Sequence, residues 1–391
     1  METRSIAKRR KVVKLPTASF KDLPDEIVLQ IFKHLDFFAN ASASQACKRW
    51  KMLSEDQSLW QKINLTGREV PGKFIEKALK QGCQYLGLCG TKITNELGCE
   101  FSASNQLKYL TISCDNYFES HHEVLMEDLL GATHFLQKLS IQCDREYDFH
   151  FQPNSIQNNQ TLTVLQIKAF KSLNFETVKG IFTNCLELTE VSLTDCSMSV
   201  EALSFMCNNL TSKIKKLCLF RLSAFDSEDD YIVEDEHIIA ITNRCPQLEE
   251  LDLGGQENFI SEVALSTIIE KLQNLVKLKL PNTGQIRFPK LLELRSLPNL
   301  KYLRIHVELV DFSPTDFFHN LRASGPESMP QQFDALTRET TLIKELVKNL
   351  PNLKINEGEF EIADPDLRFL CNERLWEIEC KPSVEFYEDM F

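Results

Sequence analysis

From residue 83 onward the chain repeats one short pattern: apolar, two variable residues, apolar, one variable, apolar. It reads CQYLGL from Cys83, LKYLTI from Leu107, LQKLSI from Leu136, LTVLQI from Leu162 and LTEVSL from Leu188. It continues as IKKLCL from Ile214, LEELDL from Leu248, LVKLKL from Leu275, LKYLRI from Leu300 and LPNLKI from Leu350. Successive starts lie 24, 29, 26, 26, 26, 34, 27, 25 and 50 residues apart. The alternation within each copy predicts a short strand, and FETVKGIFTNC, VEALSFMCNNL and SEVALSTIIEKL between copies space their apolar residues as helices do. A unit of one strand and one return helix cannot bury its own apolar side. Neighbours must therefore stack and share a core.

This period matches leucine-rich repeats, so the predicted fold class is α/β: a curved parallel sheet with outer helices. Two gaps are long. One holds the acidic run SEDDYIVEDE (227–236) and the other holds SPTDFFHNLRASGPESMPQQFD (313–334), and both read as surface insertions. In such a solenoid the variable strand residues face the concave side. Early strands offer a mild polar lining, from Tyr85 and Gly87 to Ser140 and Gln166. Later ones offer Glu250 and Asp252, then Lys277, Lys279, Tyr302, Arg304 and His306, the candidate substrate-binding residues. The last five form a basic and aromatic patch, and residues 357–391 beyond it hold eleven Asp/Glu against three Lys/Arg. Opposite charges on a partly shielded wall attract. Part of 357–391 is accordingly expected to fold back onto the patch, anchored by Trp376 or Phe360.

Before the repeats, LPDEIVLQIFKHLDFF (23–38) carries more apolar surface than one neighbour covers. At 100° per residue, Ile27, Ile31, Leu35, Val28 and Phe32 fill an arc of about 140°, against a little over ~100° for an ordinary surface helix. Pro24 suits a first helical turn, and Asp25 and Glu26 suit its positive dipole end. With ACKRWKMLSEDQSLWQKINLTG (46–67), the spacing predicts three short helices leading into a strand-like KINL. About 45 residues bury little by themselves, so this unit must lean on the repeats, on another protein, or on both. The chain thus divides into a basic disordered tail (1–18), a helical motif with linker (19–66), the repeats (67–356) and an acidic tail (357–391).

LPDEIVLQIF, CKRW and SLWQKINL resemble an F-box, the motif by which substrate receptors attach to the Skp adaptor of SCF ubiquitin ligases. An F-box followed by such repeats is similar to the F-box/leucine-rich-repeat family. SEDQSLWQKINLTG, LLELRSLPNLKYL, LVKNLPNLKINEGEF and ERLWEIEC extend the likeness over about 19–380. The resemblance implies a non-catalytic receptor that recruits a protein substrate, phosphorylated or not, for ubiquitination and proteasomal degradation, with a place in cell-cycle control. It implies direct contact with the Skp adaptor and indirect contact with cullin and RING subunits. Leu23, Pro24, Ile27, Ile31, Phe32, Leu35 and Trp50 would touch the adaptor, while Leu59 and Trp60 would seat the motif on the first repeat. The sequence departs from the family in two places. DFFANASASQA stands where a Pro and more aliphatic residues are usual, which points to weaker adaptor affinity. Asp195, Gly255 and Asn282 stand where a relative uses Trp, Asp and Arg to hold a Cks-type accessory subunit, which speaks against that partner.

Chemistry of other kinds finds little footing. The net charge of −12 argues against a nucleic-acid partner. No apolar run approaches the ~18–20 residues of a membrane span, and the first residues lack the apolar core of a secretory signal. KRRK (Lys8 to Lys11) reads either as a nuclear address or as a solvated basic tail, and the expected location is nucleus and cytoplasm. Most of the thirteen cysteines, among them Cys83, Cys114, Cys143, Cys196 and Cys218, lie in or beside strand patterns and are expected as buried free thiols. His121 and His122 lack partners at metal-ligand spacing, and no phosphate-binding glycine loop occurs, so neither metal nor cofactor is expected. A repeat scaffold without ligase function is the competing reading, and an independent enzyme is the third.

Overall fold

The apolar alternation becomes a ladder of parallel strands in the computed structural model. It describes residues 20–35, 37–94, 106–113, 129–131, 133–143, 154–224, 232–255, 260–282, 286, 290–291 and 293–306. The chain divides into two compact units after Gln61.

The first unit holds three short helices, α1 Asp25–Lys33, α2 Phe37–Ser44 and α3 Lys48–Ser54, with 3-10 turns at Phe20–Asp22 and Gln57–Leu59. Pro24 stands at the N-cap of α1, and Asp25 and Glu26 fill its first turn, as their dipole preference requires. The helix ends at Lys33, so Leu35 lies beyond it. ANASASQA, thin in apolar residues, is mostly helix all the same. Its Asn40 is buried and donates from Nδ2 to the carbonyls of Phe32 (2.9 Å) and Leu35 (3.5 Å), satisfying oxygens that the end of α1 leaves open.

The second unit carries fourteen strands. They are β1 Lys62–Asn64, β2 Glu69–Val70, β3 Tyr85–Leu88, β4 Lys92–Ile93, β5 Tyr109–Ser113, β6 Lys138–Gln142 and β7 Val164–Lys168. There follow β8 Glu190–Thr194, β9 Ser197–Met198, β10 Lys216–Phe220, β11 Ser223–Ala224, β12 Glu250–Asp252, β13 Lys277–Asn282 and β14 Tyr302–His306. Ten form one sheet in the order β1-β3-β5-β6-β7-β8-β10-β12-β13-β14, while β2 pairs with β4 and β9 with β11. Nine sheet strands fall on nine copies of the repeat, and KINL supplies the tenth at the head. The copy at Leu350 and the 313–334 insertion lie outside the described residues.

The register stacks equivalent positions in columns. Ile63, Leu86, Leu110, Leu139, Leu165, Val191, Leu217, Leu251, Leu278 and Leu303 form one buried column, running across the sheet strand by strand. Each side chain contributes about 1.5–3 kcal/mol by leaving water. Helices Phe175–Asn184, Val200–Asn209, Asp235–Arg244 and Glu262–Lys271 pack in succession over this core. Side chains of Asn174, Ser199 and Ser261 accept from backbone N–H groups of the first turns, which sets three of these helix starts. Part of the acidic run 227–236 is therefore framework. Ile232 and Val233 are buried, and Glu234 caps the helix whose first turn holds Asp235 and Glu236.

The residue after the fifth position of a repeat strand takes a left-handed turn at Ala169, Asp195, Arg221 and Gly255. Only Gly255 adopts it without cost to a side chain. A Cβ there would meet Arg221 Cγ at 2.5 Å and Phe220 Cζ at 2.9 Å.

Buried thiols behave as packing groups. Burial pushes Cys83, Cys218 and Cys245 up to about 12 and Cys185 to about 11. Cys185, Cys196 and Cys245 each donate to a backbone carbonyl of the preceding repeat. The free-thiol expectation fails at Cys143, which is disulfide-bonded. Alternation buries a strand-end sulfur but does not distinguish a thiol from a bridge.

Candidate functional site

The wide apolar arc of α1 divides in two. Val28 and Phe32 are each 1% exposed and close the interior of the first unit. Ile27 at 40%, Ile31 at 36% and Leu35 at 37% remain open. Phe32, expected at an adaptor face, is thus internal: its ring stands edge-on to Trp50 with centroids 5.6 Å apart. Trp50 is half-buried between Phe32 and Phe20, the latter 6.0 Å away and itself exposed. Leu23 is half-buried and Pro24 exposed.

Arg49, not singled out from the sequence, organises this end of the unit. Its Nε donates to Asp25 Oδ1 at 2.7 Å, Nη1 to the Lys21 carbonyl at 3.0 Å, and Nη2 to the Leu23 carbonyl. One guanidinium thereby fixes the approach to α1 and the Leu23–Pro24 corner. Two of its three acceptors are backbone carbonyls, which no residue pattern advertises. At the other end Leu59 is half-buried and Trp60 is buried, its Nε1 donating to the Ser54 carbonyl at 3.2 Å and its ring 5.5 Å from Phe37. Asp56 caps the Gln57–Leu59 turn, and hydrogen bonds from Ser58 hold its carboxyl below the usual range.

The second candidate surface is the face of the sheet that carries the variable residues. Along its first column Glu190, Lys216, Glu250 and Lys277 stand on consecutive strands, with ion pairs of 3.3, 4.0 and 3.2 Å. Lys279 pairs with Asp252 at 2.9 Å. Burial opposes the charge on Lys279, yet Asp252 holds its pKa above the ordinary value. The expected basic patch is thus internally compensated at Lys277 and Lys279. Tyr302, Arg304 and His306 lie on β14, the last strand of the sheet, with Tyr302 registered against Lys277, Arg304 against Lys279 and His306 against Asn282. The proposed docking of 357–391, with Trp376 or Phe360, lies outside the described residues.

The other half of the same column is built differently. Tyr85 and Tyr109 stack edge-on with centroids 4.4 Å apart. The Lys62 ammonium lies 4.9 Å from the Tyr85 centroid and the Lys138 ammonium 5.4 Å from that of Tyr109.

Among the described residues no group of three or more His, Cys, Asp or Glu could hold a metal ion. His121 and His122 lie outside them. Ser204 Oγ and His237 Nε2, 2.9 Å apart, mimic a nucleophile and its base. The tautomer excludes that role: Nδ1 accepts from the Glu234 N–H at 3.1 Å, so Nε2 carries the proton and donates to Ser204. His237 is a buried cap, and burial lowers its pKa. A cleft of about 560 Å³ at the strand-entry rim, between Thr189, Lys215, Glu249 and Val276, is crossed by a Lys215–Glu249 pair at 2.8 Å and offers no nucleophile. No described helix is long and apolar enough to cross a membrane.

A family model described as F-box-like matches residues 20–66. F-box/LRR-repeat protein 12 of Bos taurus is 41% identical over 49 residues, which is 12% of this chain and 15% of that protein. The match therefore spans a small part of the relative's length. A crystal structure of a protein from Bacteroides fragilis is similar over 56% of this chain and 64% of that one, with 14% identity and a TM-score of 0.36, too remote to carry an argument. The helical unit is an F-box-like domain, and a leucine-rich-repeat sheet follows it.

Proposed function

We propose that this protein is the substrate-recognition subunit of an SCF ubiquitin ligase. The observation that carries the reading is the division of α1. An F-box-like domain that has already closed its interior with Val28 and Phe32 still presents Ile27, Ile31 and Leu35 on one side, beside the Leu23–Pro24 corner. An amphipathic helix with such a row fits a partner's apolar groove, and the partner for an F-box is the Skp adaptor. Cullin and RING subunits would join through that adaptor. Trp50 would support the contact from behind, and Leu59 and Trp60 would serve the junction with the repeats.

The protein itself then needs no catalytic group. It raises rate by proximity, holding a substrate lysine near a thioester carried by another subunit. Degradation of the tagged substrate by the proteasome follows from that chemistry. LLELRSLPNLKYL in the repeats, with LVKNLPNLKINEGEF and ERLWEIEC beyond them, resembles S-phase kinase-associated protein 2, and on that likeness rest the cell-cycle role and the nuclear and cytoplasmic location. The crowding of Arg221 and Phe220 around Gly255 argues against an Asp at that position and so against a Cks-type accessory subunit.

Co-expression with the Skp adaptor tests the reading. The two chains should leave a sizing column together and then bind cullin. Separate elution of the intact, folded protein would sink the ligase assignment and leave a repeat scaffold.

A further inference from the structure

The two halves of the variable sheet face differ in charge in a way that assigns them different work. Strands β1, β3, β5, β6 and β7 read KIN, YLGL, YLTIS, KLSIQ and VLQIK: they contain Lys62, Lys138 and Lys168 and no Asp or Glu. Strands β8, β10, β12 and β13 bring Glu190, Glu250 and Asp252 to the same face, where they pair with Lys216, Lys277 and Lys279. The positive charge there is spent inside the sheet. In the first half it is displayed beside two half-buried tyrosine rings.

We infer that the Lys62–Tyr85–Tyr109–Lys138 ridge is a docking surface for an acidic peptide segment of a partner protein, with an apolar or aromatic residue between its carboxylates. Ammonium groups and phenol hydroxyls offer donors along the whole ridge, so the complementary partner is rich in acceptors and negative charge. The ring edges offer contact area at little cost in side-chain freedom. Gly87, Thr111 and Ser140 in the neighbouring column are buried, so contact falls on the ridge itself. Lys62 and Lys138 stand three strand steps apart. At ~4.8 Å per step that is roughly 14 Å, the reach of about four extended residues, so two carboxylates about four positions apart would meet both lysines. Calling the occupant a cargo rests on the receptor reading; the charge and ring contact do not.

Peptide binding is measured on the full chain without any adaptor, which keeps the two readings separable. The probe is a short labelled peptide with Glu at both ends of an extended Phe-containing segment, followed by fluorescence anisotropy. It should bind saturably, weaken with added salt, and lose at least about tenfold in affinity with Lys62→Gln plus Lys138→Gln. Lys277→Gln plus Lys279→Gln should change it by less than about twofold. Lys62→Gln alone, at an exposed position, carries the same test in the same direction if the double variant does not fold. Absence of binding, equal loss in both double variants, or unchanged affinity for a Gln-for-Glu peptide would overturn the inference. So would binding seen only when the Asp and Glu residues of full-length 357–391 are replaced by Asn and Gln, because the chain's own acids would then be the occupant.

Discussion

Two helices of nearly equal length and equal apolar content meet opposite fates. Glu262–Lys271 carries Val263, Ala264, Leu265, Ile268 and Ile269, and all but Val263 are buried. Asp25–Lys33 carries Ile27, Val28, Leu29, Ile31 and Phe32, and only Val28 and Phe32 are buried. The first belongs to a series in which each unit covers the next. The second belongs to a short domain with too few residues to cover what it displays. Local pattern makes both helices amphipathic; the number of neighbours decides how much of the pattern is left for a partner.

Substitutions break or sharpen this contrast, in decreasing order of effect. Phe32→Ala should cost the F-box-like domain about 3–5 kcal/mol, because a fully buried ring against Trp50 leaves a cavity. Leu265→Ala should cost the repeats about 2–5 kcal/mol by the same mechanism. Denaturant titration measures both. A silent Phe32→Ala beside an unfolding Ile31→Ala would reverse the assignment of inside and outside.

His237 provides a contrast in pH. Its folded pKa is lowered by burial, so the unfolded chain binds a proton near pH 6.5 while the folded chain resists. Stability of the repeats should therefore fall as pH drops from about 7.5 to 5.5. His237→Gln, which still suits the third position of a capping box, should flatten that slope at a cost of about 1 kcal/mol or less. Equal slopes in both proteins would remove His237 from the account. Smallest of all, Asp56→Ala should cost about 0.5–1 kcal/mol, at the low end for a largely solvated cap. The effect should be present above the ordinary carboxylate pKa and vanish as pH falls through the depressed folded value.

The repeats were legible because the sequence writes one strand and one helix many times over, and each copy checks the others. KINL was readable as a strand for the same reason. Periodicity also drew the full arc of α1, but an arc does not say which edge turns inward, and Phe32 went to the wrong side. The pairing of Lys277 and Lys279 was readable in principle. Glu190, Lys216, Glu250 and Lys277 hold the same place in successive copies, and in a parallel sheet equal places become neighbours. Treating each strand by itself hid that relation and put a bare basic patch where ion pairs stand. Arg49 and Asn40 were not legible, since both act on backbone carbonyls whose positions exist only after folding.

The central claim is that the outward row of α1 is the adaptor contact. Calorimetric titration of the purified Skp adaptor into the wild-type protein and into Ile27→Asp/Ile31→Asp, with folding of both checked by denaturant titration, tests it most directly. The account predicts saturable binding by the wild type and a loss of at least about a hundredfold, roughly 2.7 kcal/mol, in the folded variant. Binding of equal strength by both proteins would contradict it.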